Sequence, residues 1–163
     1  MVVKNKILVL PHVGTAFGHL IRTVEYIELT YNKEDDVTLV IPQHGIDFGL
    51  KYIPAFVKII IQKTEFSINN SSGELKLQLF LELMKELESI VNKVKPNLII
   101  GDPGVRASIL SQKFNIRWIG LMHGCYLPIP NYKNHDVNKS FENLMETAWK
   151  VTNKSIDLSL IHI

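Results

Sequence analysis

The sequence has few features that would point to a secreted, membrane or nucleic-acid-binding protein. Its 163 residues include one cysteine, Cys125, so no disulfide can form within the chain and a reducing, cytoplasmic compartment is expected. No apolar run approaches the ~20 residues that cross a bilayer, and no signal-peptide cleavage site follows the N-terminal apolar run. Lysine and arginine total 18 against 16 acidic residues. They form no basic cluster, so a nucleic-acid partner is not expected.

The sequence does contain short apolar runs that alternate with amphipathic segments. Six strands are predicted, at 7–10, 37–41, 56–61, 97–100, 117–122 and 156–163. Helices are predicted at about 18–31, 73–95, 105–114 and 140–150, with either a short helix or an irregular loop at 43–53. This alternation predicts one α/β domain over residues 1–163, with a Rossmann-like, mostly parallel six-stranded sheet and helices on both faces.

The stretch from Lys6 to Arg22, KILVLPHVGTAFGHLIR, predicts a strand, a turn that contains Gly14 and Gly18, and a helix that begins near His19. In an open α/β sheet such a turn lies at the carboxyl end of the strand, where ligands bind. The G-x-x-x-G spacing does not complete a dinucleotide fingerprint, and no acidic residue directly ends the second strand. A nicotinamide cofactor is therefore not expected.

Polar residues also follow later strands, with Asp102 after the fourth and His123 after the fifth. A carboxylate that accepts a hydrogen bond from one imidazole nitrogen leaves the other free as a general base. We therefore predict that His19 is the base and that Asp102 orients it. Two alternatives stay open: Asp102 caps the helix that follows it, or His19 is a half-buried turn residue. The spacing of His12, His44 and His123 matches no metal signature, so no metal is expected.

The order of these motifs resembles the N-terminal half of GT-B-fold glycosyltransferases of the macrolide-type, UDP-glycosyltransferase-like group. The resemblance lies in G-H-x-x-R at 18–22, in the strand–Asp–helix–strand segment at 95–124 and in the final DLSLIHI. It implies that His19 deprotonates an acceptor hydroxyl, that Asp102 orients His19, and that the hydroxyl attacks a nucleotide sugar with inversion, without metal or other cofactor. The residues expected to bind substrate are Gly14, Gly18, Arg22 and His123.

Such enzymes have two Rossmann-like domains, and the resemblance covers the first. We therefore expect the acceptor-binding domain of an inverting glycosyltransferase, inactive without a donor-binding half on a missing or separate C-terminal domain. Its partners would be a nucleotide-sugar donor and a small-molecule or glycan acceptor, and an exposed apolar flank would favour a homodimer or heteromer. The alternatives are a non-catalytic ligand-binding or regulatory module and an unrelated flavodoxin-like or nucleotide-binding protein. The lack of a Ser/Thr-rich phosphate loop after the first strand argues against flavin.

Overall fold

A computed structural model of the protein describes residues 5–13, 17–65 and 73–121. The strands in this part of the chain are β1 (Lys6–Pro11), β2 (Asp36–Pro42), β3 (Lys58–Gln62), β4 (Leu98–Asp102) and β5 (Arg117–Gly120). The helices are α1 (Gly18–Thr30), α2 (Gln43–Gly49), α3 (Gly73–Val94) and α4 (Val105–Phe114). None of these helices combines the length and the apolar character that a membrane crossing requires.

The strands form one parallel sheet in the order β3-β2-β1-β4-β5. The chain starts in the middle of the sheet, winds outward to β3, and returns through α3 to place β4 on the other side of β1. The predicted Rossmann-like α/β fold is confirmed. The described sheet has five strands rather than the six predicted; the expected sixth strand, at 156–163, lies outside the described residues.

Both faces of the sheet are buried, which explains why its central strands read as continuous apolar runs. On β1, Ile7 and Val9 pack with residues of α1, whereas Leu8 and Leu10 pack with residues of α3 and α4. Side chains of successive strand residues point to opposite faces, and all four are at most 1% exposed. Burying a side chain of this size contributes roughly 1.5–3 kcal/mol.

Several helices and strands begin or end at residues other than the predicted ones. The third strand begins at Lys58 instead of residue 56, because a turn closed by the Val57 N–H donating to the Pro54 carbonyl precedes it. The fourth strand extends to Asp102, so this residue is part of the sheet. α3 ends at Val94, followed by Lys95 at a positive φ of 51°. Of the 43–53 segment, Gln43–Gly49 forms α2 and the rest is not helical; α4 has its predicted bounds.

Candidate active site

The carboxyl ends of β1 and β4 lie side by side in the middle of the sheet. Pro11 of β1 is in register with Asp102 of β4, and the backbone N–H of His12 donates to the Asp102 carbonyl at 2.5 Å. The chain runs from β1 to β2 on one side, while β4 pairs with β1 on the other. This is a topological switch point, where open α/β sheets form their ligand-binding crevice.

The structure brings His19 and Asp102 together at this point. His19 is the second residue of α1, its side chain is 35% exposed, and its Nδ1 lies 2.8 Å from Oδ1 of Asp102, which is fully buried. An ionised carboxylate only accepts hydrogen bonds, so we assign the imidazole proton to Nδ1, which leaves the Nε2 lone pair available. The pair therefore has the geometry that a histidine base requires; the catalytic role of the two residues stays a prediction.

A cation, Arg22, contacts the same carboxylate. Arg22 Nε donates to Oδ2 of Asp102 at 2.8 Å, and Arg22 Nη2 donates to Oδ1 at 2.5 Å, which makes a bidentate pair. His19 and Arg22 are three residues apart on α1 and therefore lie on the same helix face. In this structure the Arg22 guanidinium is paired with Asp102. Contact between Arg22 and a substrate stays a prediction.

The contacts around His19 also restrict its tautomer. Arg22 Nη2 lies 3.1 Å from His19 Nδ1, but both nitrogens carry protons when Nδ1 donates to Asp102. We therefore read this distance as two donors that share Oδ1, not as a hydrogen bond between them. The hydroxyl of Thr23 donates to the His19 carbonyl at 2.6 Å and lies 3.3 Å from Oδ2 of Asp102. Thr23 thus packs against the buried carboxylate from the same turn of α1.

The alternative in which Asp102 caps the following helix is wrong. The N-cap position of α4 is Gly104, and no side chain makes a capping hydrogen bond there. The Asp102 carboxylate faces α1 instead, because β4 continues to Asp102 and aligns it with the end of β1. Of the other alternative, the half-buried side chain is observed, but His19 lies in the first turn of α1 rather than in the preceding turn.

Two further groups at this edge were not given a site role from the sequence. Arg106, the second residue of α4, is 8% exposed; its Nη1 and Nη2 donate at 3.4 Å to Gln62 Oε1 and the Leu10 carbonyl. Burial lowers the pKa of Arg106 to about 10, against the opposing effect of Asp102. The only sequence signal was a charged residue within a helix whose other residues are largely apolar or small.

The second group is His12, which follows β1. Its ring is in an edge arrangement with the ring of His19, with centroids 5.9 Å apart. Burial is the largest of the effects that together lower the pKa of His12 to about 4; the Arg106 charge and the neighbouring His19 add to it, and the Asp102 charge opposes it. His12 is therefore a neutral imidazole at neutral pH.

Aromatic side chains continue the site on the α1 and α2 side of the sheet. Phe17, directly before α1, stacks on Phe48 of α2 with ring centroids 3.8 Å apart and planes within 10°. The ring centroid of Tyr52 lies 6.0 Å from that of Phe48, and the Tyr52 side chain is exposed. Hydrophobic patterning predicted neither contact. Phe17 lies in a predicted turn, and Phe48 lies in the 43–53 segment, for which the sequence did not distinguish a helix from a loop.

The other predicted site residues are placed only in part. Gly18 is the first residue of α1, and a Cβ built there would meet no atom within 4 Å. Gly14 and His123 lie outside the described residues, so their substrate-binding roles stay predictions. Within residues 5–13, 17–65 and 73–121, no group of three His, Cys, Asp or Glu side chains could hold a metal ion.

The fold and the switch-point site define a Rossmann-like α/β domain of the kind that forms one half of a GT-B fold. Comparison with protein-family models gives no match, and neither does comparison with curated protein sequences. Three solved structures illustrate what this chain is similar to.

Glycyrrhiza uralensis UGT73P12, complexed with glycyrrhetinic acid 3-O-monoglucuronide, matches 71% of this chain with a TM-score of 0.54 and 15% identity. UGT2 of Phytolacca americana, complexed with UDP-2fluoro-glucose and pterostilbene, matches 69% with a TM-score of 0.51 and 15% identity. A UDP-glucose: anthocyanidin 3-O-glucosyltransferase in complex with UDP matches 77% with a TM-score of 0.50 and 20% identity. The matches span 27%, 29% and 32% of those chains, so they show the shared fold of a fragment.

Proposed function

We propose that this chain is the acceptor-binding domain of an inverting glycosyltransferase, with His19 as the general base. The observation that carries the proposal is the hydrogen bond between His19 Nδ1 and Asp102 at the topological switch point. The solved structures with a similar fold support the same reaction class, since two of them are complexes with UDP or a UDP-sugar analogue. A nucleotide sugar is therefore the proposed donor.

In the proposed reaction His19 Nε2 removes the proton of an acceptor hydroxyl. The acceptor oxygen forms a bond to the anomeric carbon while the bond from that carbon to the phosphate oxygen breaks, and the electron pair leaves with the nucleoside diphosphate. Attack from the face opposite the leaving group inverts the configuration. Asp102 holds the Nδ1 proton and stabilises the imidazolium that forms, which then loses its proton to solvent.

Each half of the reaction would draw on a different part of the enzyme. The aromatic side chains Phe17, Phe48 and Tyr52 offer a wall for an apolar or ring-containing acceptor beside His19. The donor would be held by a second Rossmann-like domain, on a longer form of this chain or on a separate polypeptide. Transfer then requires both domains, because the deprotonated acceptor hydroxyl needs a bound nucleotide sugar to attack.

The test combines this chain with a donor-binding domain, a nucleotide sugar and a panel of small hydroxylated acceptors. We expect the His19→Ala variant to lose about 10²–10⁴-fold in transfer rate, the usual contribution of a positioned general base. His44→Ala is the matched control, since His44 is the second residue of α2 at the same edge of the sheet, but its Nδ1 lies 3.7 Å from the exposed carboxylate of Glu65 rather than next to Asp102. Transfer by the His19 variant at the wild-type rate would remove His19 from the mechanism.

A second candidate function is a non-catalytic ligand-binding or regulatory module. The bidentate contact between Arg22 and Asp102 favours it, because the guanidinium already compensates the charge that would stabilise a histidine cation. Under this function no donor-binding domain restores transfer, while a ligand still raises the melting temperature of the chain. Detectable transfer that depends on His19 excludes it.

A further inference from the structure

The charges around the Asp102 carboxylate do not balance. Asp102 contributes one negative charge, and Arg22 already compensates it through two hydrogen bonds. Arg106 adds a second guanidinium that is 8% exposed. Within the part of the chain that the structure describes, Asp102 is the one carboxylate whose charge acts on Arg106. Since His12 is neutral, one positive charge remains without a matching anion.

The hydrogen bonds of Arg106 do not make up for this imbalance. A guanidinium has five N–H donors. Among the described residues, those of Arg106 reach the Gln62 side-chain oxygen and the Leu10 carbonyl, both at 3.4 Å. Charge-assisted hydrogen bonds normally lie at 2.7–2.9 Å, and buried charges in proteins are normally paired. Arg106 is therefore held loosely by two neutral acceptors, in a position where an anion would be strongly favoured.

The location of Arg106 places this positive charge in the ligand crevice. Gln62 is the last residue of β3, and Leu10 is the penultimate residue of β1, so the guanidinium lies at the edge where the strands end. The charge of Arg106 acts on His12, whose ring contacts the ring of His19. A ligand with a hydroxyl near His19 can therefore present a second group toward Arg106.

We propose that Arg106 and Gln62 form an oxyanion subsite, which pairs with a carboxylate or phosphate carried by the ligand of this domain. The subsite stands apart from sugar transfer, because binding at Arg106 requires no proton transfer at His19. A carboxylate would belong to an acidic acceptor, and a phosphate to a nucleotide or a phosphorylated acceptor. These two sources are separated by the choice of probe.

The experiment uses NMR of the arginine side-chain Nε–H groups, because the chain has only three arginines: Arg22, Arg106 and Arg117. The probes are benzoate and inorganic phosphate, with benzamide and sodium chloride at matched ionic strength as controls. We expect a saturable shift of the Arg106 signal with benzoate if the source is a carboxylate and with phosphate if it is a phosphate. Arg117, exposed at the start of β5 on the opposite edge, should not shift.

Variants provide the second readout. Arg106→Gln should weaken the affinity for the effective probe at least about tenfold, the size expected when one charged hydrogen-bond partner is lost, whereas Arg117→Gln should leave it unchanged. The wild-type NMR measurement stands even where Arg106→Gln does not fold. The proposal is overturned when neither probe shifts Arg106 saturably, or when Arg106 and Arg117 respond alike, since the second result means non-specific screening. Transfer activity enters neither readout, so failure here is distinct from failure of the proposed function.

Discussion

The replacement of His12 by asparagine should make the stability of the fold less sensitive to mild acid. His12 has an ordinary pKa of 6.5 in the unfolded chain and a pKa of about 4 in the folded protein. Between these values the unfolded chain binds one proton more than the folded protein, so stability falls as the pH falls. The contribution is intact above pH 6.5 and is lost progressively down to pH 4.

The size of the effect follows from the shift. A pKa difference of about 2.5 units corresponds to at most about 3 kcal/mol over the whole window. Between pH 8 and pH 5 the loss is about 2 kcal/mol, and this narrower range avoids the titration of most carboxylates. Burial is the largest cause of the lowered His12 pKa, followed by Arg106 and then His19, and Asp102 opposes them.

The assay is urea unfolding of wild-type protein and of the His12→Asn variant at pH 8 and pH 5. We expect the variant to lose about 2 kcal/mol less than wild type over this range. NMR titration of the His12 ring in the wild-type protein measures its pKa in the folded state independently. An identical pH dependence in both proteins would refute the reasoning, because it would mean that His12 charges as readily in the fold as in the unfolded chain.

Two other predictions concern the carboxylate and the glycines of the site. Asp102→Asn should lower the free energy of unfolding by about 3–5 kcal/mol, since it leaves the Arg22 guanidinium without its anion; urea unfolding measures this, and a loss below about 1 kcal/mol contradicts it. Gly101→Ala should cost about 1–3 kcal/mol, because its Cβ would lie 2.7 Å from the Cβ of Ala107. Gly18→Ala, which has open space, should leave thermal stability unchanged or raise it slightly; equal losses in the two alanine variants would contradict the packing argument.

Sequence reasoning located His19 and Asp102 because both follow apolar strands, and parallel strands of one sheet end at one edge. It did not establish that β1 and β4 are neighbours, which makes this edge a switch point. It also ended the fourth strand at residue 100, since Gly101 and Pro103 are typical of turns. The sheet continues to Asp102 because backbone pairing with β1 outweighs that local preference.

Arg106 and Arg22 were harder to interpret from the sequence for an electrostatic reason. Arginine is usually exposed, and the one local signal, the largely apolar or small residues around Arg106 in α4, does not show that its side chain is buried against the end of β1. Arg22 was expected to contact substrate, and its bidentate pairing with Asp102 depends on a residue 80 positions away. Pairing and burial of charges depend on which elements pack together, and that information is absent from a window of neighbouring residues.

The sequence by itself determined the class of fold, since the alternation of apolar runs and amphipathic segments leaves few arrangements other than a parallel sheet covered on both faces. It also determined which polar residues follow the strands. Only the tertiary structure decided the order of the strands, and through that order the contact of His19 with Asp102, the pairing of Arg22 and the uncompensated charge of Arg106. The physical reason is that hydrophobic periodicity is a local property, whereas hydrogen bonds and charges act between groups that only folding brings within reach.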